Sequence, residues 1–320
     1  MVRTYRLTDA GIRREDGPEC PADAVWIDLL EPTPEEEKTV EASVHVDLPT
    51  REEMGEIEVS SRLYQENGAT YMTATILNRA DTDQPEATAV TFALVDNKLI
   101  TIRYSDPTPF RLFASQVERR QVSIASGELA FFGLLEAIVD RAADILEKAN
   151  LAVDGVSRDV FFTGSGAPRS RDFQAMLVKV GRLGDLTSKV RESLVSLARL
   201  VAFFGHVPRN DPERVTSTHV RTMQSDIGSL SDHASFLANK VSFLLDAILG
   251  MINIEQNSII KIFSVAAVAF MPPTLIASIY GMNFHFMPEL STWFGYPLAL
   301  LAMVTSAVLP YLYFKRRGWL

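Results

Sequence analysis

The sequence predicts an α/β domain followed by long stalk helices and a C-terminal hairpin of two membrane-spanning helices. Three observations carry that prediction. Strand-like segments rich in Thr, Val, Ile and aromatic residues are confined to the first 105 residues. Helical patterning without strand signals fills the middle of the chain, and two long uncharged apolar runs occupy its last quarter.

The strand-like segments are 24–29, 68–78, 87–95 and 98–104, with Asp96 and Asn97 as the turn of a hairpin between the last two. Thr33, Pro34 and the run Glu35, Glu36, Glu37 predict a helix start. The proline suits the first position, and the carboxylates suit the positive end of the helix dipole. Beyond Pro109 the pattern predicts helices at 109–119, 127–161, 170–205 and from 212 onward. The segment 162–169 (FTGSGAPR) reads as a helix-helix turn. It lacks both the Lys-Ser/Thr and the preceding strand that a phosphate-binding loop needs. A second turn is expected at 206–211 (HVPRND), with Asp211 as cap and Pro212 as first helical residue. No proline then occurs until Pro272, so about 60 residues of helix would reach about 90 Å, a stalk rather than a core helix.

Residues 262–280 and 290–314 form runs of 19 and 25 residues without a charge. Each is long enough to cross a hydrocarbon core of about 30 Å as a helix. Trp293, Tyr296, Tyr311 and Tyr313 lie near the ends of the second run, as interfacial aromatics do. Lys261 precedes the first run and Lys315, Arg316 and Arg317 follow the second, whereas 281–289 holds no Lys or Arg. The positive-inside rule therefore keeps both termini in the cytoplasm of a two-span protein of the inner (plasma) membrane. Residues 1–14 interleave charge with apolar positions and predict no signal peptide. The expected organisation is a cytosolic α/β domain at 1–125 and long helices at 126–258. A first span follows at 259–280, an external loop at 281–292, a second span at 293–314 and a basic tail at 315–320.

The net charge is −9. Residues 259–320 carry four positive side chains and one negative, or +3, so the preceding 258 residues carry −12. Such an acidic cytosolic part argues against nucleic acid as a partner and suits cations. The single cysteine, Cys20, cannot form an intrachain disulfide. No nucleophile-base set, Walker motif or metalloprotease helix is present, so no enzyme is expected. His45, His206, His219, His233 and His285 show no metal-ligand spacing.

The long helix carries two series. Met223, Ile227, Leu230, Ala234, Leu237, Val241, Leu244, Ile248 and Met251 alternate steps of four and three, an apolar seam suited to packing on other long helices. Asp232, Asn239, Asp246, Asn253, Asn257, Ile260, Ser264, Ala267, Met271, Thr274 and Ser278 follow another face. Asn253 lies two residues, or about 200°, from Met251. Two readings of this second stripe stand: a helix-helix contact line of small and hydroxyl residues, or the wall of a pore built by symmetric copies. The carboxylates and carboxamides on its cytosolic part favour the pore, because a closed interface leaves them unpaired.

After the first span comes Tyr280-Gly281-Met282-Asn283 (YGMN), then Phe284-His285-Phe286 and Met287-Pro288-Glu289-Leu290 (MPEL). With 252–263 (INIEQNSIIKIF), 271–274 (MPPT), 294–297 (FGYP) and 311–320 (YLYFKRRGWL), this loop resembles the signature of the CorA-type magnesium channel family. In the soluble part only fragments match, such as 24–32 (AVWIDLLEP). The resemblance implies a homopentameric funnel with an α/β/α N-terminal domain and an inner ring of first spans. It implies Mg²⁺ as cargo, with Co²⁺ and Ni²⁺ also carried, no cofactor beyond transported and regulatory Mg²⁺, and closure by intracellular Mg²⁺. A zinc transporter of the same fold is the alternative cargo. Gly281, Met282 and Asn283 would form the outer mouth, with Asn283 holding the metal through its hydration shell. Asn257, Met271 and Thr274 would line the pore, with Ile260 at an apolar constriction. Asp232 and Asp246 read as acidic rings at the cytosolic mouth. Glu289 is retained in the external loop, while His285 stands where the family often has an acidic residue.

Overall fold

The computed structural model describes residues 1–8, 11–17, 19, 21–161, 172–207, 214–282, 285 and 287–319. Cys20, the turn at 162–169, Asp211, Pro212 and Asn283 lie outside the described residues. The chain divides into two compact units, Met1–Leu245 and Asp246–Leu320.

The first unit opens with the strands β1 (Val2–Thr8), β2 (Gly11–Asp16) and β3 (Ala24–Leu30). The helices α1 (Pro34–Val44), α2 (Arg51–Met54) and α3 (Val59–Arg62) come next. The sheet then resumes with β4 (Leu63–Glu66), β5 (Ala69–Asn78), β6 (Glu86–Val95) and β7 (Lys98–Arg103). Three helices follow: α4 (Thr108–Glu118), α5 (Gly127–Phe161) and α6 (Phe173–His206). The predicted helix start is a full capping box. Thr33 Oγ1 accepts from Glu36 N–H at 3.3 Å, and Thr33 N–H donates back to the Glu36 carboxylate at 2.9 Å. Three strands, β1, β2 and β4, and the one-turn helices α2 and α3 were not anticipated from the sequence.

All seven strands form one sheet in the order β2-β1-β3-β7-β6-β5-β4, antiparallel except where β3 meets β7. One face buries Val2, Ile27, Leu29, Ile100 and Ile102 with Val40 and Val44 of α1 and Met54 of α2. The other face is aromatic. Trp26 packs on Phe113 of α4 at 5.4 Å, and Phe92 packs on Phe131 of α5 at 5.6 Å. Phe131 in turn meets Phe204 of α6 at 4.9 Å. This is the three-layer α/β/α arrangement. Ser196 on α6 accepts from Thr75 N–H at 2.9 Å, covering the stretch of β5 that β4 is too short to pair. Gly127 lets α5 begin hard against β7, since a Cβ there would sit 2.5 Å from the Lys98 carbonyl carbon.

The parallel pair encloses an ion pair. Asp28 and Arg103 are each 1% exposed. Arg103 donates through Nε and Nη2 to the two Asp28 oxygens, both at 2.9 Å. Asp28 also accepts from Thr101 Oγ1 at 2.8 Å, and Trp26 Nε1 donates to Thr101 at 3.0 Å. Arg103 places its remaining nitrogen on Asp106 at 2.6 Å. The bidentate geometry and the filled hydrogen-bonding capacity let both charges survive without water.

The last long helix, α7 (Arg214–Tyr280), contributes to both units. In the first unit the apolar seam is buried: Met223, Ile227, Ala234, Leu237, Val241 and Leu244 are all under 9% exposed. It packs on helices of its own chain. Val241 lies 3.4 Å from where a Cβ on Gly184 of α6 would be, and Phe243 stacks on Phe161 of α5 at 5.9 Å. Lys240 adds an ion pair to Asp154. In the second unit α7 runs through Pro272 and Pro273, a 3-10 turn spans Pro288–Ser291, and α8 (Gly295–Arg316) follows.

Replacing Asp28 with Ala removes the bidentate partner of the buried Arg103 guanidinium and leaves it only Asp106 and the Ser105 carbonyl. The cost should be about 3–5 kcal/mol of stability, read as a lowered thermal midpoint of the purified protein. An unchanged midpoint would mean that the pair is not buried as described.

Candidate functional site

Two helices, one containing residues 217–280 and the other Gly295–Arg316, are long and apolar enough to cross a membrane. Only 6% of either apolar window is buried within the chain. Along them Val265 on α7 and Ala299 on α8 are buried, at 4% and 8% exposure. Ala266, Ala269, Pro272, Pro273 and Ile276 of α7 are half-buried, and the side of the helix away from them is open.

The structure places the predicted stripe on that open face. Asp232, Asn239, Asp246, Asn253, Asn257, Ala267, Thr274 and Ser278 are exposed, Ile260 is 61% exposed and Met271 69%. Ser264 is half-buried. Side chains of this kind on a membrane helix require a partner or water. Thr274 partly satisfies itself, its Oγ1 donating to the Phe270 carbonyl at 2.7 Å. Its oxygen lone pairs are left outward as acceptors, the polarity that protons of cation-bound water require. Pro272 and Pro273 have no N–H, which leaves the Val268 and Ala269 carbonyls without their usual donors.

At the end of α7 the chain turns sharply. Gly281 N–H still bonds to Ala277 O at 2.9 Å, and Met282 N–H bonds to Ile279 O at 3.2 Å. Gly281 and Met282 are exposed. Asn283, the remaining residue of the expected mouth, lies outside the described residues. A cavity of about 380 Å³ joins this turn to the start of α8, with Gly281, Tyr280, Glu289 and Gly295 on its wall. Glu289 thus lines the same cavity as the motif glycine, and its side chain is exposed. Glu289 is the single Asp, Glu, Lys or Arg between Lys261 and Lys315.

Residues 21–316 match the family described as CorA-like Mg2+ transporter protein. The magnesium transport protein CorA of Haemophilus ducreyi is 34% identical over 325 residues, covering 100% of both chains. That of Salmonella typhimurium is 35% identical over 322 residues, again covering 100% of both. The chain belongs to the CorA-like Mg²⁺ transporter family. The solved structure of the complete CorA magnesium transporter from Methanocaldococcus jannaschii shares its fold, with a TM-score of 0.78 at 17% identity. That match covers 100% of this chain and 99% of the other. As a member of the CorA-like family the chain is an inner-membrane protein with two spans, α8 and the end of α7, and its α/β unit lies in the cytoplasm.

The family resemblance also implies cytosolic sensing of Mg²⁺. Among the described residues no group of three or more His, Cys, Asp or Glu is arranged to hold a metal ion. One carboxylate is pushed toward its neutral form by burial and by its neighbours. Asp140 on α5 is held above the usual carboxylate range, first by burial and then by the negative charges of Asp144 and Asp226. The sequence reading had not singled out this position, although Asp140 and Asp144 stand at an i,i+4 spacing that puts both on one helix face.

The sign of its effect is fixed by linkage. Because the folded state holds the Asp140 proton more tightly than the unfolded chain does, stability falls as pH rises from the ordinary Asp range through the raised value. Asp140→Asn should therefore raise the thermal midpoint at neutral pH. The gain should vanish in acid, where the native carboxyl is already neutral. A gain independent of pH would contradict the electrostatic cause.

Proposed function

We propose that this chain carries Mg²⁺ into the cell through a homopentameric pore walled by the open stripe of α7. The observation that carries this reading is the arrangement of α7 itself. Its apolar seam is buried within the chain, while Asn253, Asn257, Ile260, Ser264, Ala267, Met271, Thr274 and Ser278 follow a face that is open except at Ser264. One helix per subunit builds a pore only if symmetric copies surround an axis. Full-length relatives named magnesium transport proteins support the cargo.

Mg²⁺ keeps six waters at about 2.1 Å and gives them up reluctantly. A ring of Asn283 carboxamides, with Gly281 and Met282, would accept hydrogen bonds from that hydration shell without stripping it. Carboxylates in the same place would hold the dication longer and slow its release. Asn257, Ser264, Thr274 and Ser278 continue the acceptor lining, Ile260 forms an apolar constriction, and Asp232 and Asp246 make acidic rings where the ion leaves. Influx needs no nucleotide, because a dication gains about 4.6 kcal/mol per 100 mV of inside-negative potential. Loss of intracellular Mg²⁺ from between cytosolic domains would release the closed state. The histidines do not direct the reading to zinc, since among the described residues His45, His206, His233 and His285 stand exposed on separate segments.

Purified protein in liposomes should take up Mg²⁺ at a rate that rises with inside-negative voltage, with Co²⁺ and Ni²⁺ also carried. Zn²⁺ uptake without Mg²⁺ uptake would overturn the cargo. Asn283→Ala should lower Mg²⁺ uptake by about tenfold or more, and normal transport would reject the selectivity role. Ile260→Gly should leak at high internal Mg²⁺, and an unchanged closed state would reject the constriction.

A further inference from the structure

The external turn contains a feature that neither the motif nor the pore stripe accounts for. The Glu289 carbonyl oxygen accepts from Thr292 Oγ1 at 2.9 Å and from Thr292 N–H at 3.4 Å. Gly295 N–H then bonds to Thr292 O at 3.1 Å, so the chain folds back over the same carbonyl. A Cβ at Gly295 would stand 2.1 Å from the Glu289 oxygen and 3.1 Å from Thr292 Oγ1. No side chain fits there. Ser291 Oγ donates to Pro288 O at 2.7 Å, closing the other end of the 3-10 turn. The backbone of Glu289 is therefore gripped by a hydroxyl, a backbone amide and a glycine contact, while its side chain is exposed.

We propose that Thr292 and Gly295 are positioning residues for Glu289, holding the backbone that carries the external loop's single formal charge at the cavity it shares with Gly281, so that the charge recruits hydrated cations to the pore mouth. The inference rests on the reading that ions reach the pore past this loop. A carboxylate tethered to a wandering turn spreads its field over a large volume, whereas a fixed one repeated by symmetric copies concentrates it on the axis. His285, also exposed, cannot supply a negative charge, so the negative field of the loop rests on Glu289.

The test is Mg²⁺ uptake by the full-length protein in neutral-lipid vesicles, measured across Mg²⁺ concentration at low and high ionic strength. Glu289→Gln should raise the half-saturating Mg²⁺ concentration by about threefold to tenfold and flatten its dependence on salt, with the maximal rate nearly retained. Thr292→Val, which keeps shape and removes only the hydroxyl donor, should do the same, and Gly295→Ala should do so too. Combining Thr292→Val with Glu289→Gln should add nothing further, because both remove one effect. Either of two results overturns the proposal: Thr292→Val with unchanged half-saturation and salt dependence, or a Thr292→Val effect that adds in full to Glu289→Gln. Wild-type vesicles with no Mg²⁺ uptake would instead refute the transport reading beneath it. Thr292→Val carries the decision if Gly295→Ala fails to assemble.

Discussion

The burial of one apolar seam fixes the rotation of α7 about its own axis, and the functional reading depends on that rotation. Within the first unit Met223, Ile227, Ala234, Leu237, Val241 and Leu244 of the seam are buried and Leu230 is half-buried, with Val241 close to Gly184 of α6. A helix anchored on one side has a defined opposite side. In the first unit that side carries Asp232 and Asn239, and in the second Asn257, Thr274 and Ser278 continue the same sequence spacing and are exposed. Were the seam free, the polar face could turn toward any neighbour. The sheet contributes to this anchorage from below, since α5 and α6 are themselves seated on its aromatic face through Phe92, Phe131 and Phe204.

The chemistry of the stripe suits an ion that keeps its water. A bare dication needs carboxylates or backbone carbonyls in its coordination shell, and a hydrated one needs acceptors for water protons at a larger radius. The membrane part of the stripe offers hydroxyls, small side chains and a thioether, with Asn257 and Asn253 on its cytosolic side and carboxylates only at Asp246 and Asp232. On the proposed reading negative charge is kept at the two ends, Glu289 outside and the aspartates inside, where it would attract cations without trapping them midway.

Much of this was legible in the sequence, and the exceptions have physical causes. The 35-residue α5 and the strands β3, β5, β6 and β7 follow from periodicity and β-propensity. Strands β1 and β2 were hidden because Arg3, Arg6, Arg13 and Arg14 make them read as charged coil. In the fold Arg6 is neutralised by Glu15 and Asp23, and Arg14 by Asp16 and Glu118. Strand β4 had a usable signal, the Asn67-Gly68 turn with both residues at positive φ, which begins a hairpin with β5. The partner of the α7 seam was open in the sequence, because a heptad pattern does not say whether its complement is the same chain or another. The Asp28–Arg103 pair joins residues 75 apart, a contact that only strand order creates. At the external loop the motif residues were readable by resemblance, but the role of Thr292 and Gly295 depends on a turn that folds back on one carbonyl, and spacing alone does not encode that.

The central claim is that the stripe, and not another face of α7, meets the aqueous pathway. Cysteine accessibility tests this most directly, in a background where Cys20 is replaced and Mg²⁺ is withdrawn to favour the open state. Cysteines placed one at a time at Ser264, Ala267, Thr274 and Ser278 should react with a membrane-impermeant thiol reagent, and their modification should block uptake. Cysteines at Val265, Ala269 and Ile276, on the opposite side of the helix, should stay inert. Equal protection of the stripe, or reaction confined to the second set, would contradict the account.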